Sequence, residues 1–300
     1  MSILIFTQCS KDSTTEKKVN LVFDKFYGES GTGLNEFNLQ DGNMWHCSFA
    51  NDAKYIYVKD VHNHRIQRLD TALNAKDWFG YYNNTWGWHT EAVAGVDSMS
   101  PQNIYYIKDY LYATQFFFGK KIIKISTQTG AIVARYSFKY DASSFVVDNN
   151  FDLYVFTSGN NKDIIIKYNS AGDSLFSFGG FGSDNGEFNT LDAQMLVDAN
   201  NNLYVYDSEN SKVQKFNDKG EFILSWTVKT DGWNSFDLYN NKIYLFEKGD
   251  LNEYDLTGNL LRTWDGNNEF YHDNFKIING KLIFEDSYKD KYEIYRFSKY

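Results

Sequence analysis

One frame, NNLYVYDSENSKVQKFNDKGEFILSW (Asn201–Trp226), recurs in degenerate form along the chain, and a self-similar frame restricts a fold more than any single motif. Its first strand-like run returns as KYIYVKD, DYLYATQ, FDLYVFT, NKIYLFE and GKLIFED. Setting Tyr57, Tyr112, Tyr154, Tyr204, Tyr244 and Ile283 in register gives spacings of 55, 42, 50, 40 and 39 residues. A period near 40 with several short strands per copy is that of a β-propeller blade. Six copies predict an all-β, six-bladed propeller of four-stranded antiparallel blades.

The stretch FGGFGSDNGEFN (Phe178–Asn189) offers a competing reading as a phosphate-cradling loop. Such a loop must open a helix whose N-terminal N–H groups hold the phosphate. Here it leads into MLV and LYVY, two short β-type runs separated by DANNN, a turn signal. The glycines therefore punctuate the repeat. Composition agrees: 18% of the residues are aromatic and there is one proline, and large flat side chains suit pleated, half-buried surfaces. A formal charge of −9 argues against a nucleic-acid partner, which requires clustered Lys and Arg. Two cysteines, Cys9 and Cys47, build no disulfide framework.

The segments YGESGTGLNEFN…YIYVKDVHNHRIQRLD (Tyr27–Asp70) and FGSDNGEFN…LYVYDSENSKVQKF resemble NHL repeats. The glycine-rich lead, the G-EF-N element, the Asp that ends the second strand and the N-H-R-I-Q run carry that resemblance. It is weaker in the last two copies and extends over residues 17–300. The proline that such repeats carry before the innermost strand is missing, and Leu39–Asp41 and Thr190–Asp192 stand in its place. Asp60 and Asp207 are expected to cap tight turns. Trp78, Tyr136, Phe178, Trp226 and Trp264 are expected to pack between adjacent blades. The last copy stops after its third strand, while KKVNLVFDKFYGESG matches GDSLFSFGGFGSDNG. An N-terminal strand is thus expected to complete the sixth blade and close the ring, which removes exposed inner edges.

Residues 1–16 form a separate segment. MSILIFTQCSKDSTTEKK places a short apolar run before Cys9 and a polar stretch after it. This resembles the end of a bacterial lipoprotein signal with a tether. It implies lipidation of Cys9 and a cell-envelope location, with a cytoplasmic location as the alternative. No run reaches the length of a membrane span, so membrane association is expected only through that anchor.

Function in a propeller concentrates on the loop face around the channel. The longest interblade segment, YYNNTWGWHTEAVAG (Tyr81–Gly95), carries Trp86, Trp88 and His89. The inner loop of the second blade carries Phe116, Phe117 and Phe118, and the first blade offers His62. These seven residues are the expected ligand- or partner-binding site, since an exposed aromatic patch marks a binding surface. The competing reading folds Tyr81–Gly95 over Phe116–Phe118 as a satellite core. His46, His62, His64 and His89 cluster in the first two copies, but no three-ligand metal pattern, paired carboxylates or nucleophilic triad emerges. The expectation is a monomeric, non-enzymatic binding module without cofactor or metal, recognising a protein, peptide or glycan. The alternative is a metal-dependent lyase or hydrolase with a site at the central channel.

Overall fold

The computed structural model describes residues 19–39, 49–91, 93–95, 101, 103–114, 120–158, 163–190, 193–229, 235–265, 274–286 and 290–297. All regular structure among them is β. Six antiparallel sheets follow one another as blades, each beginning with a short inner strand: Phe49–Asn51, Ile104–Ile107, Ser144–Val147, Gln194–Val197, Phe236–Tyr239 and Phe275–Ile278. The second strands run Tyr55–Asp60, Tyr110–Thr114, Leu153–Thr157, Leu203–Asp207, Lys242–Glu247 and Lys281–Asp286. Tyr57, Tyr112, Tyr154, Tyr204, Tyr244 and Ile283 occupy equivalent places in them and are all buried. Burial pushes the Tyr57, Tyr112 and Tyr204 hydroxyls above the ordinary phenol range, so they stay neutral.

The core is six wedges, one between each pair of neighbouring blades. Phe49, Ile104, Phe145, Met195, Phe236 and Phe275, one from each inner strand, fill the six wedges in turn. Polar staples add to them. In blades 1, 3 and 4 a basic residue paired with the central tyrosine reaches a turn carbonyl of the next blade. Arg68 donates to Thr127 O (2.8 Å), Lys167 to Asp218 O (3.3 Å) and Lys215 to Leu256 O (3.2 Å). Blades 5 and 6 place Glu253 and Ile294 at that position, which is why the repeat reads weakly there.

The strand Val19–Tyr27 closes the ring. It pairs antiparallel with Lys291–Phe297 from Leu21↔Phe297 to Tyr27↔Tyr292, with an irregularity at Asp24. Its first two residues also pair in parallel with Trp264 and Asp265 of blade 5, so blades 5 and 6 form one eight-stranded sheet.

The glycine-rich leads are clamped by the motif that follows the second strand. Asp60 accepts hydrogen bonds from Asn38 N (2.9 Å), Asn63 Nδ2 (3.0 Å), Gln67 Nε2 (3.0 Å) and Arg65 Nε (2.7 Å). Asn63 also donates to Gly31 O and Gln67 to Glu36 O. The twin around Asp207 repeats this pattern: Asn189 N, Asn210 Nδ2 and Gln214 Nε2 donate to it, while Asn210 reaches Gly182 O and Gln214 reaches Glu187 O. Each carboxylate thus ties a loop to its blade, a larger task than capping a turn. Burial pushes both carboxyl groups up from their ordinary range, against the hydrogen bonds that pull them down.

The outer-strand aromatics follow the expected pattern with one exception. Tyr136, Phe178, Trp226 and Trp264 stand opposite Ile122, Ile165, Val213 and Leu251 of the third strands. The residue opposite Ile66 in blade 1 is Phe79, and Trp78 falls opposite Gln67. A one-residue offset turns a side chain to the other face of a strand, so Trp78 lies under Arg65, 5.7 Å from its guanidinium, and not among its presumed equivalents. Tyr136, Phe178 and Trp226 each cover a turn glycine of the next blade: Gly172, Gly220 and Gly258. At Gly258, φ is +85° and a Cβ would fall 2.6 Å from the Trp226 ring, so both backbone and space require glycine. In blade 1 the corresponding slot, against Gly130, is taken by Trp88.

Candidate functional site

Trp88 reaches that slot because Tyr81–Gly95 is not the expected loop over the channel. Ala75–Tyr82 turns through Asn83 and Asn84, both at positive φ (48° and 63°), into a fifth strand, Thr85–His89. Among the described residues blade 1 alone carries this extra strand. Trp86 and Trp88 face blade 2, and on that face of blade 1 Trp86 stacks on Phe79 (5.7 Å) and Arg68 lies 4.1 Å over Trp88. His89 points to the opposite face, against Trp78 (4.8 Å). The sheet therefore separates these three side chains. The signal for it was present, since Asn-Asn between alternating aromatics is hairpin chemistry. His62 is exposed in the turn after the second strand of blade 1. Phe116, Phe117, Phe118, Cys9, His46, Cys47 and His272 lie outside the described residues.

The structure brings a different set together. At the axis, a cavity of about 140 Å³ is lined by residues of all six inner strands, among them Asn51, Asn103, Tyr105, Tyr106, Ser144, Gln194, Asp237 and Lys276. An inner strand pairs on one side only, so the groups on its axial edge need other partners. From blade 3 to blade 6, side chains of one inner strand supply them to the next. Ser144 Oγ donates to Ala193 O, Phe236 N to Gln194 Oε1 (3.1 Å) and Phe275 N to Ser235 Oγ (3.1 Å). Asp237 accepts from Ile277 N (2.8 Å), Leu238 N (2.8 Å) and Lys276 Nζ (2.5 Å). It is 1% exposed, and its carboxylate accepts three hydrogen bonds.

Blade 2 differs. Asn103 is 5% exposed. Its backbone exchanges hydrogen bonds with Thr114, but its carboxamide makes none with any described residue. The carboxamide is not among the buried polar atoms left without a partner, so it keeps contact with the cavity and is open to water or a ligand. Asn103, Ser144 and Gln194 occupy equivalent rungs on neighbouring inner strands, two places before the rung of the central tyrosines. They lie at the strand starts, the end of the channel from which the interblade segments enter. Sequence reasoning missed all three, because a four-residue strand with a single polar residue carries no distinguishing pattern. Among the described residues no three His, Cys, Asp or Glu side chains converge.

No protein-family model matches the chain, and no curated protein matches it. Solved structures do. A virginiamycin B lyase from Staphylococcus aureus is 12% identical, with a TM-score of 0.57 over 91% of this chain and 100% of its own. The chain shares its fold. A streptogramin B lyase gives 11% identity and a TM-score of 0.56 over 92% of this chain and 89% of its own. BamB from Moraxella catarrhalis aligns over 92% of this chain and 100% of its own at 10% identity, with a TM-score of 0.49. At such identities the likeness is one of architecture, and function rests on the residues that line the channel.

Proposed function

We propose that the protein is an NHL-type binding module, not a catalyst, which receives a protein, peptide or glycan at the channel end bounded by Asn103, Ser144 and Gln194. One observation carries this reading: among the described residues Asp237 is the only carboxylate of the cavity lining, and it already accepts three hydrogen bonds. A general acid or base needs a free position within reach of the reacting group. The rest of the described lining consists of carboxamides, hydroxyls, aromatic rings, the apolar side chains of Ala50, Met195 and Leu196, and the ion-paired Lys276, a lining typical of recognition sites. The paired Asp60 and Asp207 clamps support the NHL kinship. His62 and Phe116–Phe118 extend the contact surface in this reading, while Trp86, Trp88 and His89 brace blade 1.

An array of short peptides and glycans tests the proposal. The expected result is a bound ligand that withstands a metal chelator and is recovered chemically unchanged by mass spectrometry. A ligand consumed by the protein, or bound only with a divalent ion, would instead favour a lyase or hydrolase. The protein is further proposed to be a monomer tethered to a bacterial envelope through Cys9, on the strength of the SILIFTQCS segment. Membrane fractionation of the full chain should move the protein to the soluble fraction on Cys9→Ser substitution; an unchanged distribution would remove the anchor.

A further inference from the structure

We infer that this channel end takes the neutral terminal sugar of a glycan, an assignment that rests on the binding-module reading above. The cavity is walled on every side by the six inner strands and measures about 140 Å³. A space of that size and enclosure admits the end of a chain or a protruding group, not the middle of a polymer. Among the described residues its two charged lining residues, Asp237 and Lys276, are paired at 2.5 Å. A terminal carboxylate or ammonium group would find its counter-ion already engaged and the like charge beside it, so its desolvation would go uncompensated. An uncharged end group meets no such penalty.

The open polar groups suit hydroxyls. The Asn103 carboxamide lines the cavity, makes no hydrogen bond with any described residue, and presents a donor and an acceptor side by side. Gln194 uses Oε1 on Phe236 N, and its Nε2 makes no hydrogen bond with any described residue. Ser144 Oγ donates to Ala193 O and keeps acceptor capacity. Each sugar hydroxyl both donates and accepts, so neighbouring hydroxyls match this mixed set on three adjacent blades. Tyr105, Tyr106, Phe145 and Phe236 line the same space and offer apolar surface to the C–H face of a pyranose ring.

Titration calorimetry on the full chain tests the assignment, with the methyl glycosides of glucose, galactose, mannose and N-acetylglucosamine as probes. Methyl glucuronide and acetyl-dialanine amide serve as charged and peptide counterparts. At least one neutral glycoside is expected to bind, and the glucuronide is expected not to. Asn103→Ala should weaken binding by about ten-fold or more, as for a lost buried hydrogen bond. Gln194→Glu keeps the oxygen that holds Phe236 N and removes the Nε2 donor, so it should weaken binding, with a cooperative thermal transition as the check that the fold is retained. Absence of binding by all four glycosides overturns the inference, as does binding indifferent to both substitutions or equal binding of the glucuronide. Binding of acetyl-dialanine amide alone, sensitive to Asn103→Ala, overturns the sugar assignment and leaves the binding module standing.

Discussion

Arg65→Met is expected to destabilise the protein by about 3–5 kcal/mol, the range for removing one partner of a buried ion pair. Arg65 and Asp60 are both fully buried, 2.7 Å apart. The guanidinium also donates to Thr32 O (2.8 Å), Val93 O (2.6 Å), Gly33 O (2.7 Å) and Glu36 O (3.0 Å). Methionine fills similar apolar length but offers no donor, so a carboxylate and four carbonyls lose a partner together. The pH dependence separates charge burial from lost packing. Burial already raises the Asp60 carboxyl above its ordinary range, and loss of Arg65 raises it further. A folded-state pKa above the unfolded one gives stability that is present at low pH and lost as pH rises through the folded value. The deficit of the variant should therefore be smallest near about pH 4 and grow toward neutrality. Chemical denaturation across that range measures it. A deficit independent of pH would assign the loss to packing, and an unchanged midpoint would remove the clamp role altogether.

Deleting Val19–Tyr27 is expected to abolish cooperative folding. Six residue pairs join that strand to Lys291–Phe297. At about 1 kcal/mol for each net hydrogen bond, their loss approaches the whole stability of a typical domain, roughly 5–15 kcal/mol. Leu21 and Tyr27 also leave the wedges on the two sides of blade 6, and the edge of Lys291–Phe297 would stand open to other chains. Thermal circular dichroism should show no sharp transition, and gel filtration should show aggregates. Addition of a peptide spanning residues 17–27 should restore a transition in proportion to its concentration. A deleted chain that melts as sharply as the intact one would show that the ring is held without this strand.

The sequence made the blade count and the register legible because those features recur. Tyr57, Tyr112, Tyr154 and Tyr204 repeat within a common strand pattern, and the Asp60 clamp has a twin at Asp207, so each copy checks the other. What occurs once was harder to read. The offset that sends Trp78 to the opposite face of blade 1, and the hairpin that puts Trp88 in the vacated slot, have no second copy for comparison. By length the segment resembles an interblade loop, although Asn83-Asn84 signals a tight turn. The channel chemistry was hidden for another reason. Asn103, Ser144 and Gln194 are ordinary polar residues beside short apolar runs, and only ring closure sets them on neighbouring rungs. Whether a carboxamide has a partner is a property of the assembled axis, not of the local sequence.

The placement of Val19–Tyr27 also imposes an order in time. This strand leaves the ribosome before every other strand of the ring, yet its partner Lys291–Phe297 is the last to emerge. At roughly 5–20 residues per second, the wait is on the order of tens of seconds. Throughout it, Val22, Phe23 and Phe26, exposed even in the finished ring, belong to an unpaired edge. Five blades can assemble from contacts between near neighbours in sequence, which form fast. The final pairing must join distant parts of the chain and waits for Lys291–Phe297 to emerge. A nascent chain of this protein therefore carries its closing strand in waiting, and a stalled one carries it without a partner.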